Sequence, residues 1–236
     1  MTPFTPNRFS GLAWLLSGSL GVNVLILVIV VAQGFAIRNV GAKDTQTLVQ
    51  MHDGSAYKVQ PVAAESRTPK VIKVFTTNTL TQLFNWNGTI VDVEGNKIRD
   101  PGIEIETSEG RAKVPTASVT ASFALAEDFR LPFLEKIAEL TPSGVFNHST
   151  QVVLIIDNVS EPQEVATGKW RLKVISHLAV FKRGLSPEQT IPFYREITVQ
   201  ATSTPVVPTG ETPLEQAVYT VRQAGLIITD IRPIEN

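Results

Sequence analysis

The chain has 236 residues, with 21 Lys and Arg against 22 Asp and Glu and a formal net charge of -1. It carries no basic excess to neutralise a phosphate backbone, so nucleic-acid binding is not expected. It has no cysteine, which excludes disulfides, thiolate metal sites and cysteine nucleophiles together.

From Phe9 to Ile37 no residue is formally charged; Arg8 precedes the stretch, and Arg38 and Lys43 follow it. A helix of that length, rising about 1.5 Å per residue, reaches roughly 40 Å and can cross about 30 Å of hydrocarbon with tilt. Val24 to Val31 is unbroken aliphatic sequence, which suits lipid better than a half-exposed surface. A transmembrane helix is therefore expected over residues 10–37, after a tail of residues 1–9. Ser17, Gly18 and Gly21 would let a second helix approach closely, and Asn23 can hydrogen-bond across such a contact. These four are the candidate helix-association residues, although Gly and Ser are also common in membrane spans generally. A cleaved signal peptide ending near Gly34-Phe35-Ala36 is the competing reading, but its apolar region is normally only about 7–15 residues. Flanking charge does not orient the span, because Arg8 and the terminal amine nearly balance Arg38 and Lys43.

Residues 38–69 are polar and broken by Gly41, Asp53-Gly54, Pro61 and Pro69, the pattern of a linker or stalk. The folded domain is expected over residues 70–236. Val71, Val74, Phe75, Leu80, Leu83 and Phe84 fit a helical face, against the weak helix propensity of Thr76 to Thr79. Between Asn87 and Thr120 the alternation of Ile103, Glu104, Ile105, Glu106 and Thr107, with Glu94-Gly95-Asn96 before it, predicts a β-hairpin with an irregular return. A short amphipathic helix follows, capped by Asp128, with Phe129, Phe133, Leu134, Ile137 and Leu140 on one side and Pro132 in its first turn.

Three antiparallel strands are expected from Gln151 to Val159, Gly168 to Arg183 and Ile191 to Thr202. In the second, Trp170, Leu172, Val174, Ser176, Leu178 and Val180 share one face. Lys169, Arg171 and Lys173 share the other and form either a charged docking face or a solubilising one. Pro213 to Ala224 reads as a short helix or an irregular crossing, and Leu226 to Ile231 as the last strand.

His52, His148 and His177 are the three histidines, and none has a second ligand at metal-type spacing, so no metal is expected. His177 reads as a satisfied or edge-facing strand histidine, since catalysis also requires an oriented partner. There is no phosphate loop and no nucleophile elbow; Glu104 and Glu106 share a face, but one that reads as solvated. The sequons at Asn87, Asn147 and Asn158 read as chance. No catalytic residue, cofactor or enzyme activity is expected.

Four stretches together resemble the IcmL/DotI/TraM family of type IV secretion and conjugation inner-membrane proteins. They are SGSLGVNVLILVIV; HDGSAYKVQPVAAESRTPKVIKVFTTNTLTQLFNW; DFRLPFLEKIAELTPSGVF; and GKWRLKVISHLAVFKRG followed by QTIPFYREITVQATST. Their order spans most of residues 10 to 232, and the region from Asn87 to Thr120 departs from the family by its length. The resemblance implies a cytoplasmic N-terminus and a periplasmic α+β domain. Its fold would be the cone-shaped kind shared with nuclear transport factor 2, with helices on a curved antiparallel sheet. It also implies a scaffold role in a secretion or conjugation channel, with the bilayer, other secretion subunits and further copies of the chain as partners. A membrane-anchored envelope protein with an unrelated partner, and a periplasmic small-molecule enzyme on the same fold, are the alternatives.

Overall fold

The computed structural model of the protein describes residues 8–41, 47–50, 56–59, 65–92, 94–108, 110–182, 186–205 and 212–234. The tail at 1–7, the Asp53-Gly54 turn and part of the join after Arg183 lie outside the described residues, as do the side chains of 34–36. The chain divides into two units, Met1–Val62 and Ala63–Asn236.

The first unit holds helix α1, Arg8–Gly41, of 34 residues. It also holds a two-stranded hairpin, β1 (Thr47–Gln50) and β2 (Ala56–Val59), inside the stretch read as a linker. All described side chains of α1, Trp14 and those of 17–33, are exposed, including Leu25, Leu27 and Val28 at 60%, 64% and 59%. Among the described residues no helix is long and apolar enough to cross a membrane. The part of α1 with described side chains is shorter than the roughly 20 residues a span requires, whereas the helix itself would reach about 50 Å.

The second unit begins with α2, Pro69–Phe84, where Thr68 caps the first turn by accepting from the Val71 N–H and Pro69 starts the helix without losing a backbone bond. Ile72, Phe75, Thr76, Thr79, Leu80, Leu83 and Phe84 are its buried face. Thr76 tolerates burial because its hydroxyl donates to the Ile72 carbonyl at 2.8 Å. The helix stops at Asn85, and Trp86 then bridges to Val152 while its indole N–H is shared between the Leu83 carbonyl and Ser118 Oγ.

The region expected to hold one hairpin holds two and a helix. Strands β3 (Thr89–Val91) and β4 (Lys97–Arg99) turn at Asp92, and β5 (Ile103–Thr107) pairs with β6 (Gly110–Val114). Helix α3, Thr116–Ser122, follows directly. Buried Asp100 ties these pieces together: its carboxylate accepts from the Gly102 N–H, the Thr116 N–H and the Thr116 hydroxyl. These are charge-assisted bonds, the stronger class.

Helix α4, Glu127–Leu140, starts after Ala126 rather than at Asp128, and Pro132 sits inside it rather than in its first turn. With no N–H, Pro132 cannot bond back to the Asp128 carbonyl. Phe129 and Phe133 pack against the core, in which Leu134 and Ile137 are buried. A 3-10 turn, Ser143–Val145, then leads into the main sheet.

That sheet has six antiparallel strands: β7 (Gln151–Val159), β8 (Gln163–Ala166), β9 (Lys169–Phe181), β10 (Gln189–Pro192), β11 (Arg195–Ala201) and β12 (Leu226–Pro233). Strand β9 is central, paired with β7 and β8 on one edge and with β10 and β11 on the other, and β12 lies beyond β11. Register shifts in the β7, β8 and β12 pairings bend the sheet. As expected from the alternation of β9, Trp170, Leu172, Val174, Ser176, Leu178 and Val180 all face inward and are buried. The last helix, α5 (Pro213–Arg222), is capped by Thr212 and lies before β12. Ala63–Asn236 is thus an α+β unit with helices on a curved antiparallel sheet, whose core joins α2, α3 and α4 to β7, β9, β11 and β12.

Candidate functional site

Helical geometry separates the four residues singled out in α1. At about 100° per residue, Ser17, Gly18 and Gly21 fall on one side, whereas Asn23 lies beside Ser19, well round the helix from Ser17. Asn23 donates one amide hydrogen to the Ser19 carbonyl at 2.8 Å, which leaves its second hydrogen and its carbonyl oxygen available. A Cβ built on Gly18 or Gly21 would meet nothing within 4 Å. These glycines therefore leave space on the helix surface.

The charged face of β9 is on the outside of the sheet. Arg171 and Lys173 are exposed and Lys169 is half-buried. A groove of about 570 Å³ crosses this face, and its lining includes Lys169 and Arg171 but not Lys173. Opposite them stand Glu196, Thr198 and Gln200 from β11, with Asp230 and Arg232 from β12. Arg171 Nε lies 3.4 Å from Glu196 Oε1 and Arg232 Nε 2.5 Å from Asp230 Oδ2, so two of the groove's three cations are answered locally. Exposed pairs of this kind contribute about 0–1 kcal/mol each, which leaves them free to exchange for a partner's charges. Lys173 is held by its backbone instead, through Ser160.

Sequence reasoning missed two arrangements. The register shift in β7 makes Asp157 an extra residue opposite β9, and its carboxylate lies 2.9 Å from His177 Nδ1. Bulges re-aim side chains in this way, and no local motif marks this one. The pair has no hydroxyl nucleophile from its neighbour: Ser176 points into the core and donates to the Phe193 carbonyl. The second arrangement is Arg195, which shares the core-facing parity of Ile197 and Val199. Its guanidinium stacks 4.1 Å over the Phe193 ring. Counting by twos back from Val199 would have found it.

Among the described residues there is no group of three His, Asp or Glu side chains placed to hold a metal, and no buried side-chain nitrogen or oxygen lacks a partner. Two sequons are explained by local turns, since Asn87 accepts from the Thr89 N–H and Asn147 from the Ser149 N–H.

No family model matches the sequence, and no curated protein matches it. Solved structures similar to this chain include the following two. One is the soluble domain of TrwG from the type IV secretion machinery of Bartonella grahamii, 12% identical, covering 72% of this chain and 100% of its own, with a TM-score of 0.44. The other is a periplasmic fragment of TraM, 10% identical, covering 70% of this chain and 96% of its own, with a TM-score of 0.39. At these identities neither likeness transfers a function.

Proposed function

We propose that this chain is an inner-membrane assembly subunit of a type IV secretion or conjugation-type channel. Helix α1 would anchor it, with the short N-terminal tail in the cytoplasm and Ala63–Asn236 in the periplasm as a cone-shaped domain. The observation that carries the reading is α1 itself: a 34-residue helix whose described aliphatic side chains are all exposed, ahead of a unit with its own buried core. Contiguous exposed apolar surface of that kind requires lipid or a partner. The order of motifs that resembles the IcmL/DotI/TraM family supplies the type of complex.

Within the membrane, the Ser17, Gly18 and Gly21 side would admit a second helix, and Asn23 would offer hydrogen bonds to a neighbour on the other side. Outside it, the groove at Lys169 and Arg171 offers exchangeable charge pairs to other subunits, a surface for register and partner choice more than for affinity. The proposed partners are thus the bilayer, further copies of the chain and other secretion subunits, and catalysis has no part in the reading.

Alkaline washing of membranes from cells expressing the full chain tests the anchor. A spanning α1 keeps the protein in the pellet, because insertion of a transmembrane helix is effectively irreversible. A reporter fused after Asn236 should then be active only outside the cytoplasm. Recovery of a soluble product beginning near Ile37 would overturn the anchor, and reporter activity inside the cell would overturn the orientation.

A further inference from the structure

Among the described residues, Arg195 is a cation on the inner face of the sheet. Arg195 opens β11 at the rim of the core, with the same parity as buried Ile197 and Val199. Around it lies a cleft of about 290 Å³ between α4 and the ends of β11 and β12, walled by Phe84, Phe133, Ile137, Leu140, Phe193 and Ile231. The aromatic wall is fixed by mutual packing, with Phe84 4.6 Å from Phe193 and edge-on to Phe133 at 6.1 Å between ring centroids.

Among the described residues no carboxylate lines this cleft, whereas two cations do, Arg195 and Lys136. Strand alternation explains the first half of that statement: Glu196 and Asp230 project to the outer face, where Arg171 and Arg232 engage them. Arg195 donates one bond from Nη1 to the neighbouring Tyr194 carbonyl and has no ion-pair partner among the described residues. Stacking on Phe193 holds its plane in place. Partial burial lowers its pKa, yet a guanidinium remains protonated in proteins. A partly desolvated charge with unused, forked donors next to an apolar cavity is matched by a carboxylate, which it can engage in bidentate fashion. Lys136 is paired with Glu139 on the exposed surface of α4, an exchangeable contact that lets its ammonium turn toward a bound anion.

We infer that this cleft is a binding site for a small amphipathic monocarboxylate, with the acid group on Arg195 and the apolar body between Phe84, Phe133 and Phe193. The volume falls at the small end of ligand pockets, which run from about 300 to 1,000 Å³, so the body is one ring or a short acyl chain.

The test uses the full chain in nanodiscs of zwitterionic lipid, with empty discs as blank and 4-phenylbutyrate as the probe in equilibrium dialysis. Saturable binding is expected. Its uncharged amide should bind at least tenfold more weakly, and butyrate, which lacks the ring, should also lose affinity. Arg195→Gln should weaken the acid by at least tenfold while leaving the amide unchanged, and Arg195→Lys should restore part of the loss. Leu140→Trp, at an exposed rim position, should block the acid and the amide alike without disturbing the buried core. Equal binding of acid and amide, an unchanged affinity in Arg195→Gln, or no saturable binding of the acid would each overturn the site.

Discussion

Asn85 Oδ1 accepts a hydrogen bond from the Leu154 backbone N–H at 2.7 Å, so the residue that ends α2 also closes the edge of β7. The adjoining Trp86–Val152 bridge continues the same seam with two backbone bonds. Asn85→Ala leaves the Leu154 N–H beside a buried side chain without its acceptor, and the cost of such an orphaned group is about 1–3 kcal/mol. Chemical denaturation should show that loss with an unchanged m-value. A midpoint equal to that of the parent protein would mean that water replaces the carboxamide and that the seam is not held there.

Ile137 is fully buried between α4 and the sheet, and Leu134 is 4% exposed one turn before it. Truncating either to Ala removes aliphatic contacts from a site enclosed by the aromatic cluster, with an expected loss of about 2–5 kcal/mol. Leu131, at 62% exposure on the same helix, is the internal control and should change stability little when replaced by Ala. Equal effects at 131 and 137 would refute the packing of α4 on the sheet.

Much of this packing could be read from the residues. The alternation from Trp170 to Val180 placed the core face of β9, because burial acts directly on side-chain period. Of the face expected for α2, Phe75, Leu80, Leu83 and Phe84 are buried, whereas Val71 and Val74 are exposed and Ile72 is buried instead. What escaped depends on contacts distant in sequence. The bulge that brings Asp157 to His177 is a register event between two strands, and the site of Asp100 joins Gly102 to Thr116 across a hairpin. The two hairpins before α3 merged into one because 97–99 and 110–114 are short and mostly polar, with little burial to impose a pattern. The start of α4 was misplaced for a local reason: Asp128 is a good cap by composition, but Ala126 is fixed as the boundary by its backbone bond to the Ile228 carbonyl.

The turn between β3 and β4 predicts a pH response. Asp92 Oδ1 accepts from the Asn96 and Glu94 N–H groups, and the Asn96 backbone bond is the main reason its pKa lies below the ordinary 3.8. A carboxyl whose folded pKa is depressed contributes stability above its unfolded pKa and loses it as pH falls through the folded value. The turn should therefore be intact at neutral pH and loosen only in acid, below the ordinary Asp range. Following the Asp92 carboxyl and Asn96 amide resonances with pH would check both; a common midpoint at or above 3.8 would contradict the hydrogen-bond account.

The final expectation concerns α1, and it can be separated from folding because of where its glycines sit. A Cβ added at Gly18 or Gly21 meets nothing within 4 Å, so a substitution there is not blocked at its Cβ by the chain itself. A loss of assembly at an unchanged denaturation midpoint would then point to a neighbouring helix. Close helix approach in lipid relies on small side chains, since apolar burial gives little drive when the solvent is itself hydrocarbon. Replacing both glycines with Leu should thus reduce cross-linked oligomers or the size of the complex in mild detergent, while the denaturation midpoint of the Ala63–Asn236 unit within the full chain stays the same. Asn23→Leu should act independently, because Asn23 lies on a different side of the helix, and the double change should combine the two losses. Two weak contacts held to one membrane reinforce each other through their effective concentration. Loss of both should therefore reduce assembly more steeply than either alone. If full-length protein is strictly monomeric by cross-linking in its native membrane, or if Gly18→Leu with Gly21→Leu leaves its assembly unchanged, close packing through this side of α1 is not how the chain associates.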